Sequence, residues 1–167
     1  MRRVMVLVAI VSLLFSHLAS AEPLESRERE SLRALAGVFL VVEELKDDVK
    51  HDGLSVSQIQ TDVELRLRQA GIKVLSRQEA LASPGFPYLY VRLSTAKGGS
   101  TYAYCVQVEF NQVVQLDRNP AIRLLATTWT APGVTGTVGA KTLRDVRKII
   151  VGQVDEFTNT YLAVNPK

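Results

Sequence analysis

LSVSQIQTDVELRLRQAGIKVL, residues 54–75, decides the fold: it reads as a capped amphipathic helix that stops cleanly and passes into a strand. Ser55 is placed as N-cap, because its hydroxyl can accept from a free N–H of the first turn. Gln58, three residues on, can return the bond and complete a capping box, with Leu54 and Ile59 as a hydrophobic staple around it. Val56, Ile59, Val63, Leu67 and Ala70 fall within a sector of roughly 80° at the helical repeat. Gly71 is placed as the left-handed terminator, letting Ile72 fold back on Leu67. The segment Glu64–Arg68 also alternates as a strand would, but two caps and the longer stripe favour helix. Leu65 lies off the stripe.

A second stripe lies near the other end of the chain. Thr142 can cap a helix with Asp145 three residues on, and Leu143, Val146, Ile150, Val154, Phe157 and Tyr161 share a similarly narrow sector. Strands lie between and before these helices. The apolar run AGVFLVVEEL, residues 36–45, reads as a central strand buried on both faces. Residues 73–75 form a short strand, and Ser76 with Glu79 repeats the capping box for a brief helix. Residues 88–95, 101–116 and 121–130 read as an antiparallel meander, turned at Gly98-Gly99 and at Asn119-Pro120. Residues 46–53 (KDDVKHDG) read as a solvated loop, and residues 131–140 (APGVTGTVGA) as a Gly-rich flexible connector. Two one-faced helices and a mixed sheet make an α/β (α+β) two-layer sandwich, with about five strands and both main helices on one face. The other face is partly open. It carries either Tyr88, Tyr90 and Arg92, or Leu89, Val91 and Leu93; alternation alone leaves both phases available.

Residues 1–21 read as a secretory signal peptide. Arg2 and Arg3 open it, an apolar core too short for a membrane span comes next, and Ala19-Ser20-Ala21 is the cleavage site. Residues 22–35 are charge-dense and read as a mobile leader or a short surface helix, with a single domain over residues 36–167. The expected location is the periplasm or the exterior, with no membrane span after signal removal. Loss of the two signal arginines, with no acid lost, takes the formal charge from +3 to +1. The alkaline isoelectric point therefore argues for neither nucleic acid nor membrane surfaces. Cys105 is the only cysteine, so no internal disulfide can form.

Candidate chemistry is sparse. GVTGTVGAKT, residues 133–142, mimics a phosphate-binding loop. The P-loop needs Lys and Ser/Thr directly after its second glycine. Here one residue too many separates Gly133 from Gly139, and Ala140 precedes Lys141. Lys141 with free N–H groups at a helix start leaves an anion site open. Asp47, Asp48 and Asp52 do not match a calcium-loop spacing. His51 is the only histidine left after signal removal, and Cys105, mid-strand, reads as a small buried hydrophobe. Glu43 and Glu44 are adjacent and point to opposite faces of a strand, so they are no acid/base pair. No zinc set exists, and no cofactor is expected. Tyr102 and Tyr104 point to the core, because Cys105, Gln107 and Glu109 share the other face. Arg92 and Trp129 are the expected exposed surface for a partner or ligand, with Lys141 as the third candidate.

The strand–helix–strand opening, with GIKVLSRQEAL and a meander after it, resembles a group of envelope proteins. These are the N-terminal domain of the Tol system's periplasmic β-propeller protein and the periplasmic domains of curli-secretion lipoproteins. The segments VVEEL, ELRLRQAGI and FTNTYLAVNP are also similar to those of small exported bacterial proteins. The likeness is one of pattern across nearly the whole mature chain; the chain departs from it in lacking a lipidated cysteine, a propeller or a pore. It implies this fold and an envelope role, and it carries over no catalytic residue. The expected function is a non-enzymatic exported interaction module that binds another envelope protein. The alternative is a small-ligand or anion carrier, using the open face near Trp129 or the loop before the last helix.

Overall fold

The computed structural model describes residues 23–166; the signal segment, residues 1–21, lies outside them. The architecture is α+β. A mixed open sheet of six strands runs in the order β2-β1-β3-β4-β5, with β6 also on β4. The strands are β1 (Val38–Val42), β2 (Val74–Leu75), β3 (Tyr88–Gly98), β4 (Thr101–Leu116), β5 (Asn119–Thr130) and β6 (Val134–Gly139). The helices are α1 (Leu24–Glu30), α2 (Asp47–His51), α3 (Val56–Gln69), α4 (Arg77–Ala82) and α5 (Val146–Val164), the last preceded by a 3₁₀ segment, Ala140–Asp145. β1 pairs in parallel with β2 and β3, whereas β3, β4, β5 and β6 pair antiparallel.

The opening helix forms as its caps dictate. Ser55 Oγ accepts from the Gln58 N–H at 3.3 Å, and Gln58 Oε1 accepts from the Ser55 N–H at 3.1 Å. At the other end Gly71 takes φ +79°, and the Ile72 N–H donates to the Leu67 carbonyl at 2.9 Å. This is the Schellman closure, which satisfies carbonyls that the helix leaves unpaired. Ile59, Val63 and Leu67 are buried, while Leu65 is 53% exposed. α5 presents Val146, Ile150, Val154 and Phe157 to the same core. Both helices pack on the sheet and on each other. Arg147 clamps them together with two bonds to Asp62 at 2.7 and 2.8 Å, and Arg66 pairs with Asp155. Facing them are Val38, Leu40, Leu89, Val91, Val108 and Phe110, all buried. Aromatic packing concentrates at Phe157, whose ring lies 5.8 Å from Phe110 and 5.3 Å from Trp129.

The second capping box is present too. Ser76 Oγ accepts from the Glu79 N–H, and Glu79 Oε2 accepts from the Ser76 N–H at 2.8 Å. Lys73 donates to the other Glu79 oxygen at 2.7 Å. Lys73 first, then the Ser76 donors, hold the Glu79 carboxyl down to about 2 from its ordinary 4.5. A carboxylate favoured in the folded state adds stability above its unfolded titration range and loses it as pH falls through the folded value. Glu79 should therefore titrate with a midpoint near 2 in carboxyl-carbon NMR. Its stabilising share should be complete above about pH 4.5 and fade toward pH 2. In Lys73→Met the midpoint should move upward.

The structure corrects four local expectations. Residues 46–53 are not a loop throughout: α2 forms there, with Asp47 and Asp48 in its first turn and Lys50 and His51 in its last, and it buries Val49. That charge order suits the helix dipole, but a helix this short shows no periodicity. Residues 131–140 are not a flexible connector, because Val134–Gly139 is a strand on β4. β5 covers only the second half of β4, so the first half has a free edge for β6. At Gly136 an added Cβ would come within 2.6 Å of the Tyr104 hydroxyl, so a larger residue there would have to displace the Tyr104 ring. Thr142 does not cap the last helix; its hydroxyl donates to the Gly139 carbonyl, and the α-helix starts only at Val146. The mobile leader is also corrected, in favour of the surface-helix alternative: α1 forms, and residues 31–35 beyond it are anchored to the domain. Leu32 is fully buried, Asn165 Nδ2 donates to the Leu32 carbonyl at 2.8 Å, and Asn165 Oδ1 accepts from the Ala34 N–H at 2.7 Å.

Past Asn111 the β4–β5 ribbon outruns β3, whose first residue, Tyr88, lies opposite Asn111. This arm carries Ile122, Leu124 and Leu125, which are exposed.

Candidate functional site

Register fixes which side of the sheet is uncovered. Leu89 and Val91 are buried opposite Phe110 and Val108, on the helix side. Strand alternation therefore turns Tyr88, Tyr90 and Arg92 to the other face. Phe39 and Val41 flank them on β1, where Phe39 is opposite Tyr88 and Val41 opposite Tyr90. On β4 the same face carries Glu109, Gln107 and Cys105, opposite Tyr90, Arg92 and Ser94.

The aromatics on this face form one chain. Phe39 and Phe86 have ring centroids 6.3 Å apart, Phe86 and Tyr88 5.7 Å, and Tyr88 and Tyr90 6.5 Å with rings at 89°. The turn before β3 supplies Phe86, in a left-handed conformation at φ +48°. All four rings are half-buried: each is partly screened by its neighbours and partly open. Burial raises the Tyr88 and Tyr90 phenols above their ordinary range, with help from Glu109 at Tyr88 and Glu43 at Tyr90. Both therefore stay neutral donors near neutral pH.

Beside the aromatic chain stands a charge cluster. Arg92 Nε is 3.8 Å from Glu43 Oε2, and its Nη2 is 3.6 Å from Glu109 Oε1. Both separations are ion pairs longer than a hydrogen bond. Glu43 Oε2 and Arg92 Nε are shielded from solvent and have no hydrogen-bond partner among the described residues.

Of the three residues expected to form an exposed surface, Arg92 lies on this face, about a third exposed. Trp129 does not. It pairs with Phe110, lies under α5 against Phe157, and is only 6% exposed. The cause is a bulge: Phe110 pairs with Trp129 but Asn111 pairs with Thr127, so one extra residue in β5 resets its facing. Lys141 is exposed in the 3₁₀ segment, several residues before the first turn of α5, and it meets neither Arg92 nor Trp129. The anion reading of that segment thus lacks the helix N-terminus it needed. Phe39, Phe86 and Glu43 belong to the face although the sequence reading does not place them there. Only the alternation of residues 39–43 points to them, and a run apolar at nearly every position hides it.

His51 and Cys105 do not meet. His51 ends α2 beside Asp52, which accepts from Lys97 at 2.6 Å and from the Tyr102 hydroxyl at 2.8 Å, on the helix side. Lys97 first, then Tyr102, lowers the Asp52 carboxyl below its ordinary range. Cys105 is half-buried on the opposite face. Among the described residues no three His, Cys, Asp or Glu side chains gather as a metal site requires. Open grooves of about 340 to 420 Å³ lie at the edge of β1, between α3 and α5, and beside α1. None of these three is lined by His51 or Cys105. Among the described residues no helix is long and apolar enough to cross a membrane.

The class of protein is thus an α+β domain with a mixed open sheet, its two long helices on one face and a half-exposed aromatic chain on the other. No protein-family model matches this chain, and no curated protein matches it.

Proposed function

We propose that the protein is an exported, non-enzymatic interaction module of the cell envelope, and that it docks another envelope protein on the open sheet face. The observation that carries this is the continuous chain Phe39–Phe86–Tyr88–Tyr90 on the face opposite the two long helices. Half-exposed aromatics gathered on a broad surface are typical anchors of protein partners. Export rests on the signal pattern of residues 1–21, and the envelope role also draws on the likeness in pattern to envelope domains. Action by binding rather than catalysis is the reading that the chemistry of the face supports. Its converging ionisable groups are one guanidinium and two carboxylates, with no activated nucleophile beside them. The carrier alternative loses its anchor, since Trp129 belongs to the core.

The test is affinity capture from the protein's own cell envelope, comparing wild type with Tyr88→Asp/Tyr90→Asp. The expected result is a partner held by the wild type and lost by the variant, with both proteins showing the same circular dichroism. Truncating an interface anchor typically costs about 2 kcal/mol or more, a loss of roughly thirtyfold in affinity. A partner retained equally by the variant would sink the reading.

A further inference from the structure

We infer that the partner segment received by the open face is basic and apolar: an extended stretch carrying lysine or arginine between aliphatic side chains. This rests on the docking role proposed above and names the chemistry of the partner.

Charges border the aromatic chain. Glu43 and Glu109 flank Arg92, so the cluster holds two carboxylates and one guanidinium. Arg92 stands 3.8 Å from one and 3.6 Å from the other, and it closes a hydrogen bond with neither. One guanidinium shared loosely between two acids leaves negative charge unbalanced. Among the described residues Glu43 Oε2 has no hydrogen-bond partner. The side chains of Glu43 and Glu109 remain 42% and 21% exposed, so an arriving cation can meet the outer part of each carboxylate, although Glu43 Oε2 itself is shielded. Tyr90 lies directly opposite Glu109 in the register, and the Tyr88 ring stands edge-on to it. A cationic head can thus rest over a phenol ring while pairing with a carboxylate. Its aliphatic stem covers aromatic surface in the same pose.

An acidic segment fares worse on the same ground, because it meets two carboxylates across one arginine, and like charges at an interface suppress binding. A purely apolar segment would cover the aromatics while stripping water from Glu43 and Glu109 without replacing it. A basic apolar segment matches both halves of the surface.

The experiment uses the chain without residues 1–21 and two labelled synthetic peptides. One alternates leucine with lysine, the other leucine with glutamate. Binding is read by fluorescence anisotropy at low and high salt. The expected result is saturable binding of the lysine peptide, weakening as salt rises, with no binding of the glutamate peptide. Glu43→Gln/Glu109→Gln should then weaken the lysine peptide by about fivefold or more, with melting temperature measured alongside. Equal or tighter binding of the glutamate peptide overturns the inference and leaves the docking face standing. Undiminished lysine-peptide binding by the double variant also overturns it, because the cation then sits elsewhere. Binding of neither peptide overturns the inference and counts against the docking face as well.

Discussion

Phe157→Ala is expected to destabilise the protein by about 3–5 kcal/mol, the range for removing a large aromatic from a packed core. Phe157 is fully buried, and its ring touches three elements of the core at once. It stacks on Phe110 of β4 at 5.8 Å, meets Trp129 of β5 edge-on at 5.3 Å, and lies 6.2 Å from Tyr161 of its own helix. Truncation removes apolar area and also leaves a cavity that rigid sheet residues cannot fill. The melting temperature should drop by roughly 10 °C for a chain of this length. Phe157→Leu, which keeps most of the volume, should lose far less. Near-equal losses in the two variants would mean that retained bulk counts for little at this site. Trp129 fluorescence gives a second readout, since its indole edge is packed on the deleted ring.

Gly37→Ala is the second large effect expected, and it acts through backbone rather than packing volume. Gly37 sits just before β1 at φ +155°, a conformation that side-chain-bearing residues rarely adopt. A Cβ there would stand 2.5 Å from the Lys73 carbonyl oxygen and 3.0 Å from Leu75 Cδ2. That carbonyl accepts from the Val38 N–H at 2.9 Å, the bond that starts the β1–β2 pairing. Neither backbone can yield without breaking the register Val38↔Val74. Conformational strain plus the lost pairing gives a cost of about 3 kcal/mol. Urea unfolding measures it. Gly98→Ala is the contrast: a Cβ there meets nothing within 4 Å, and its effect should stay within about 0.5 kcal/mol.

The bodies of α3, α4 and α5 are legible in the sequence because their signals are local. Both capping boxes, the Gly71 terminator and the two apolar stripes lie within a few residues of the structure they specify. The meander is legible through alternation and paired glycines. The features that escape depend on partners distant in the chain. Val134–Gly139 (VTGTVG) holds β-branched residues at four of its six positions, but its glycines suggest a linker until the free half of β4 is known to await a strand. Trp129 faces the core because of a bulge set by pairing with Phe110 and Asn111, which no pattern within residues 119–130 announces. Alternation narrows the open face to two phases and no further. Residues 88–93 are apolar or amphipathic at every position but Arg92, so both sides of the strand could be buried, and β1 decides between them.

β1 lies between β2 and β3, yet the chain makes it before either neighbour; α3 follows early, but the rest of the cover over the core arrives only with α5. Residues 88–139 can zip into β3, β4, β5 and β6 by short-range turns, a quick local step. Closure must wait for Ile150, Val154 and Phe157, which follow every strand of the sheet in the chain. Until then the core face of β4, with Val106, Val108 and Phe110, is greasy and uncovered, an invitation to aggregation or to a holding chaperone. In a chain of this design α5, made after all six strands, acts as the latch.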